Sequence, residues 1–154
     1  MTAAALLALL VLQAPGPGPG TPSPPPPAPL AVAAGERIVL DVRFPPWQFT
    51  GTFTLEVGGR HDQGVARDRG SLLGPTQRVE RVLEGQLGTI TLQLDTRLRG
   101  AIFPPIFGRW QVVGATGAYV GLLGGGTFTA VDAGRGSGSP FERQTLLGRL
   151  SSQR

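Results

Sequence analysis

A chain of 154 residues with 14 basic and 10 acidic side chains and no cysteine has room for one domain with a real core. It excludes disulfides and thiolate metal sites. Every basic residue is arginine, spread from Arg37 to Arg154 with acids between, for a net charge of +4; this describes a mildly basic, solvated surface and argues against a nucleic-acid groove.

The first expected element is an apolar, helix-favouring run within residues 1–14. Spanning a bilayer takes about 20 apolar residues, so the run predicts no stable membrane span. Its length suits the core of a secretory signal, and the chain is expected to be exported to a periplasmic or extracellular space. Residues 15–34 follow as a proline- and glycine-rich linker. Proline fixes φ and lacks the N–H donor, so Pro15 to Pro29 is expected as an extended polyproline-II spacer. The folded domain is expected over 35–150, independent of what precedes it.

From Gly35 onward the hydrophobic period is two. Ile38, Leu40, Val42 and Phe44 share a face until Pro45-Pro46 ends the strand. Phe49 to Val57 alternates phenylalanine, leucine and valine with threonine, and Gly58-Gly59 makes a turn. His61 to Arg69 is expected as a weaker polar strand on an exposed flank. Thr76 to Glu84 pairs through a glycine turn with Thr89 to Leu98, and a last strand lies near Thr145–Leu150. Between them runs a glycine-rich unit, Gly108 to Thr129, whose glycines mark bends and bulges. Eight strands with short links, one-sided alternation and no amphipathic helix predict an all-β, antiparallel, eight-stranded closed barrel. The rival is an open two-sheet sandwich.

Within that unit, the run Gly108-Arg-Trp110-Gln-Val-Val-Gly114-Ala-Thr116-Gly117-Ala-Tyr119-Val-Gly121, followed by Gly124 and Gly126-Thr-Phe, resembles the signature of the allene oxide cyclase and dirigent barrels. Phe49-Thr-Gly-Thr-Phe and Asp62-Gln-Gly64, placed in a following turn, match the order of elements upstream, so the resemblance covers most of 36–150. It implies the barrel. The plant cyclases use a carboxylate and polar groups inside a cavity, and no residue here matches those one for one; the resemblance therefore implies fold and not activity. Thr116-Gly117 suits a tight turn with glycine at positive φ, and Tyr119 suits a ring plugging the barrel end with its hydroxyl near water.

No catalytic or metal site is expected, and no cofactor. His61, the lone histidine, sits beside Asp62 in a polar stretch without a nucleophile and reads as an exposed turn residue. The chain has no lysine for a phosphate loop. The strand Thr76–Glu84 is the place where charge can enter the lumen. If Val79 and Leu83 face inward, Arg81 does too and can hold a carboxylate; if Val82 does, Glu80 and Glu84 follow, and Glu80 can steer a reactive ligand. The favoured alternative is a rim strand with both charges in water. Trp47 and Trp110 can line a pocket but more often fill a small barrel. Glu80, Arg81, Trp110 and Tyr119 are thus the candidate ligand-binding residues. The leading functional expectation is a non-enzymatic exported barrel binding an apolar or carboxylate-bearing small ligand, with no nucleic-acid partner. The alternatives are a cofactor-free isomerase or cyclase and a surface interaction protein.

Overall fold

The computed structural model describes residues 25, 27–46, 48–70, 78–96, 106–132 and 142–152. Eight strands follow in order: β1 (Glu36–Phe44), β2 (Thr50–Val57), β3 (Arg60–Gly70), β4 (Arg78–Gly85), β5 (Thr89–Thr96), β6 (Ile106–Ala115), β7 (Leu122–Asp132) and β8 (Glu142–Ser152). One 3-10 turn, Gly117–Tyr119, joins β6 to β7. Each strand pairs antiparallel with its neighbour in sequence, and β8 pairs back onto β1, closing the barrel. The expected architecture is the one observed, and closure leaves no sheet edge open to a second chain.

Alternation in the sequence becomes inside and outside. Ile38, Leu40, Val42 and Phe44 of β1 are all buried, while Arg37 and Arg43 face out. The Gly58-Gly59 link has φ of 60° and 68°; two successive positive φ values suit a two-residue hairpin loop of the primed type, whose twist matches the strands. Between β5 and β6 the register shifts: Leu92 opposes Val112, but Thr91 opposes Gly114. The surplus residue, Val113, is exposed. This bulge resets the alternation, so that Trp110 on one side of it and Ala115 on the other both meet the core.

Gly148 of β8 makes room for that tryptophan. A Cβ on Gly148 would stand 2.5 Å from Cζ2 of Trp110 and 2.4 Å from the Gly125 carbonyl oxygen. The indole N–H donates to the carbonyls of Thr127 and Leu147 at 3.1 and 3.2 Å. The indole is therefore held against bare backbone at Gly148.

Three details differ from the sequence reading. The strand containing His61 is no flank, because β3 is a full stave of the barrel between β2 and β4. Asp62, expected in a turn, lies within that strand. The packed region also begins before Gly35 and ends after Leu150. Leu30 and Val32 are buried in the core, the Leu30 N–H donates to the Ala118 carbonyl, and the Ser152 hydroxyl donates to the Val32 carbonyl at 3.1 Å. Two alternating apolar residues, hidden by the proline-rich composition around them, strap the end of the barrel. Residues 1–24, which hold the expected signal and most of the spacer, lie outside the described residues, as does Trp47. Among the described residues no helix is long and apolar enough to cross a membrane.

Candidate functional site

Side chains fill the lumen. Leu40, Leu55, Leu83, Leu92, Leu94 and Leu146 are 0–2% exposed, and Trp110, Tyr119 and Phe128 complete the same apolar cluster. Two charged groups interrupt it, one toward each end.

At the strapped end the charge is Asp62, buried at 6% exposure. Its Oδ1 accepts the backbone N–H of Gln63 at 2.8 Å and of Gln86 at 2.9 Å. Its Oδ2 accepts the Leu87 N–H at 3.3 Å and the Tyr119 hydroxyl at 2.7 Å. A carboxylate with this many donors is at ease away from water. The arrangement ties β3 to the β4–β5 turn and to the 3-10 turn before β7. Tyr119 fills the barrel end as expected, but its hydroxyl is on Asp62 and not near water: the residue is 1% exposed. Burial pushes its phenol pKa far above the usual value, and the hydrogen bond and charge of Asp62 push it the same way.

Toward the opposite end the charge is Arg81. Val79 and Leu83 face inward at 1% exposure each, and Arg81 between them is at 0%. The expectation of a solvated rim is overturned for this residue: the alternation of β4 carries it into the lumen. Asp68 stands directly across the ladder on β3. Its carboxylate takes the guanidinium's bidentate face, with Nε to Oδ1 at 2.6 Å and Nη2 to Oδ2 at 2.7 Å. The same Nη2 reaches Gln144 Oε1 on β8 at 2.8 Å. The Phe44 ring lies 4.9 Å below the guanidinium carbon, a desolvated cation–π contact. Nη1 is buried and has no hydrogen-bond partner among the described residues.

Glu80 faces the other way. Its side chain is about half exposed on the outer wall, 3.4 Å from Arg69. The candidate residues therefore do not converge: Glu80 is outside, Arg81 and Tyr119 lie toward opposite ends, and Trp110 is a plug whose N–H is already used. His61 is exposed, as expected of a polar turn-proximal residue. Asp62, Asp68 and Gln144 were missed. Asp62, Gly64, Ala66 and Asp68 fall on one face of β3, and the small residues Gly64 and Ala66 alternating between the two acids were the signal in the sequence.

The outer wall has two characters. Across β3, β4 and β5 the charges pair: Arg67 with Glu84, Arg69 with Glu80, and Arg78 with Asp95 at 2.8 Å. The Arg78 hydrogen bond holds the Asp95 carboxyl below its usual range. Across β6, β7, β8 and β1 one ion pair stands among the described residues, Arg143 with Asp41. Burial works against the Asp41 carboxylate, but the Thr145 hydroxyl and Arg143 more than offset it and lower its pKa. On the same wall Arg37, Arg109 and Arg149 make no ion pair among the described residues, although Arg149 Nη1 donates to the Gly35 carbonyl at 2.7 Å and Arg109 stands opposite Asp95 in the ladder. An open trough of about 1,050 Å³ runs over β6 and β7, floored by Gly124, Gly125 and Gly126 and flanked by Phe107, Arg109, Gln111 and the Arg78–Asp95 pair.

No family model, no curated protein and no solved structure matches the chain. Eight-stranded barrels serve unrelated families, so the fold does not by itself assign a superfamily.

Proposed function

We propose that this chain is a non-catalytic binding module that acts through the outer wall of its barrel. The filled lumen carries the reading. A lumen that works on a small molecule needs an apolar cavity of roughly 300 Å³ or more with a few polar groups aimed into it. Here leucines occupy that volume at 0–2% exposure, and the carboxylate that Arg81 would offer to hold is supplied internally by Asp68. On this reading the similarity to allene oxide cyclases and dirigent proteins extends to the barrel and not to cyclase chemistry. Export and display behind a proline-rich spacer belong to the same proposal and rest on the composition of residues 1–34. Native mass spectrometry of protein purified from its host tests it. A mass equal to the polypeptide alone is expected, and a retained small molecule would overturn the reading.

One observation favours a second reading. Nη1 of Arg81 is a buried donor with no partner among the described residues, and such groups are rare enough to call for a reason. A small ligand placing a carbonyl or carboxylate oxygen there would satisfy it. In that case the retained molecule is lost on Arg81→Gln, whereas Glu80→Gln leaves it in place.

A further inference from the structure

We infer that the export leader is removed upstream of Leu30, so that the mature chain keeps the strap and leaves the barrel at its Tyr119 end. The inference rests on the export reading above and locates the processing site within it. A leader is cut behind small residues spaced as Ala-x-Ala, past its apolar run. Ala31-Val32-Ala33 repeats that pattern to the letter. The apolar run itself ends on Leu12-Gln13-Ala14, whose first position is bulky. Pattern alone therefore favours a cut after Ala33.

Packing weighs against that cut, because the same three residues are the body of the strap. Leu30 and Val32 are 4% and 5% exposed and join the core cluster that holds Tyr119, Leu122 and Leu150. Ala31 and Ala33 alternate with them and face water. The backbone is tied at each step: the Leu30 N–H donates to the Ala118 carbonyl, and the Val32 carbonyl accepts the Ser152 hydroxyl at 3.1 Å. The Ala33 N–H donates to the Glu36 carboxylate at 3.1 Å, and the Glu36 N–H returns to the Ala33 carbonyl at 3.1 Å. Gly35, at φ 78°, completes this turn into β1. Hydrolysis of the Ala33–Ala34 bond gives a carboxylate on Ala33 and an amine on Ala34, with water supplying the oxygen and the hydrogens. It would open the turn and release both apolar side chains. The Ala118 carbonyl and the Ser152 hydroxyl would lose these partners. Two buried aliphatic side chains are a large share of what holds a marginally stable domain together.

The stretch before the strap offers other places to cut. Ala14, Gly16, Gly18 and Gly20 put a small residue at every second position, closer to the apolar run. A cut among them gives a leader at the short end of the usual length of roughly 15–30 residues, whereas Ala33 lies beyond that range. The prolines from Pro22 to Pro29 then stay joined to Leu30. The spacer is thereby fixed to the barrel beside the β6–β7 turn and does not swing from Gly35.

The test is the intact mass and N-terminal sequence of the exported protein purified from its host. A first residue between Pro15 and Leu30 is expected. A first residue at or beyond Ala31 would overturn the inference and leave export standing, and a chain still carrying residues 1–14 would overturn both. Ala33→Leu spoils the small-residue pattern at an exposed position and should leave the mature N-terminus where it was; failure to process that variant would overturn the inference. In the mature chain, Leu30→Ser and Val32→Ser should each lower the thermal midpoint by about 4 °C or more, while Ala31→Ser between them should leave it nearly unchanged. Equal midpoints for all three would show that the strap adds nothing to the fold, and the inference would fall.

Discussion

The two ends of one lumen solve the same problem in different ways. Asp62 is a buried charge answered by dipoles: three backbone N–H groups and a phenol converge on it. Arg81 is a buried charge answered by another charge, Asp68, with Gln144 and the face of Phe44 in support. The first solution leaves none of its donors spare and ties β3 to the two turns. The second leaves Nη1 of Arg81 over. Full satisfaction marks a structural pin, whereas a remainder marks the place where the barrel is least committed.

Breaking the ion pair should have the largest effect. Asp68→Asn leaves the Arg81 cation without its counter-charge at 0% exposure, a change that costs about 3–5 kcal/mol. Replacing both partners, Arg81→Met with Asp68→Leu, should bring urea-unfolding stability back near the parent value. A double variant as unstable as the single one would mean that the pair holds the fold in a way apolar packing does not replace.

A smaller loss is expected at the pinned end. Gly117 has φ of +61°, and a Cβ there would meet the Leu87 carbonyl oxygen at 2.6 Å. Gly117→Val should destabilise by about 2 kcal/mol or more, since a β-branched residue is strained at positive φ and the contact is with backbone. A loss below about 0.5 kcal/mol, the range of an ordinary surface change, would show that the turn is not held there.

The smallest effect sharpens the pin through pH. Because the Tyr119 phenol pKa is raised in the folded protein from an ordinary value of 10.0, the unfolded chain loses that proton first as pH rises. Its contribution to stability is therefore fully present below about pH 10 and declines above it. Tyr119→Phe should cost about 1.5 kcal/mol at neutral pH, the lower end of the worth of one hydrogen bond to a charged group, and should flatten the alkaline decline. An unchanged decline in the variant would assign it to other groups.

Much of this fold was legible in the sequence because antiparallel staves with one wet face write their period directly. Val79 and Leu83 were visible as a pair, and their spacing already allowed Arg81 to lie inside. What could not be read was the answer to that charge. Asp68 and Gln144 stand 13 and 63 residues away, and only the register of a closed barrel brings them to the guanidinium. Asp62 was hidden for a similar reason: its acceptor role depends on N–H groups of a turn 24 residues on, and backbone donors leave no trace in side-chain pattern. The strap was masked by composition, since Leu30 and Val32 follow directly on Pro29.

The claim that the lumen is internally satisfied is tested most directly by a crystal structure of protein purified from its host, read at Nη1 of Arg81. The expected result is the Asp68 bidentate pair intact, with density at Nη1 no larger than a single water. Density for an organic molecule reaching Nη1, with Asp68 displaced or the surrounding leucines parted, would contradict it and return the function to the lumen.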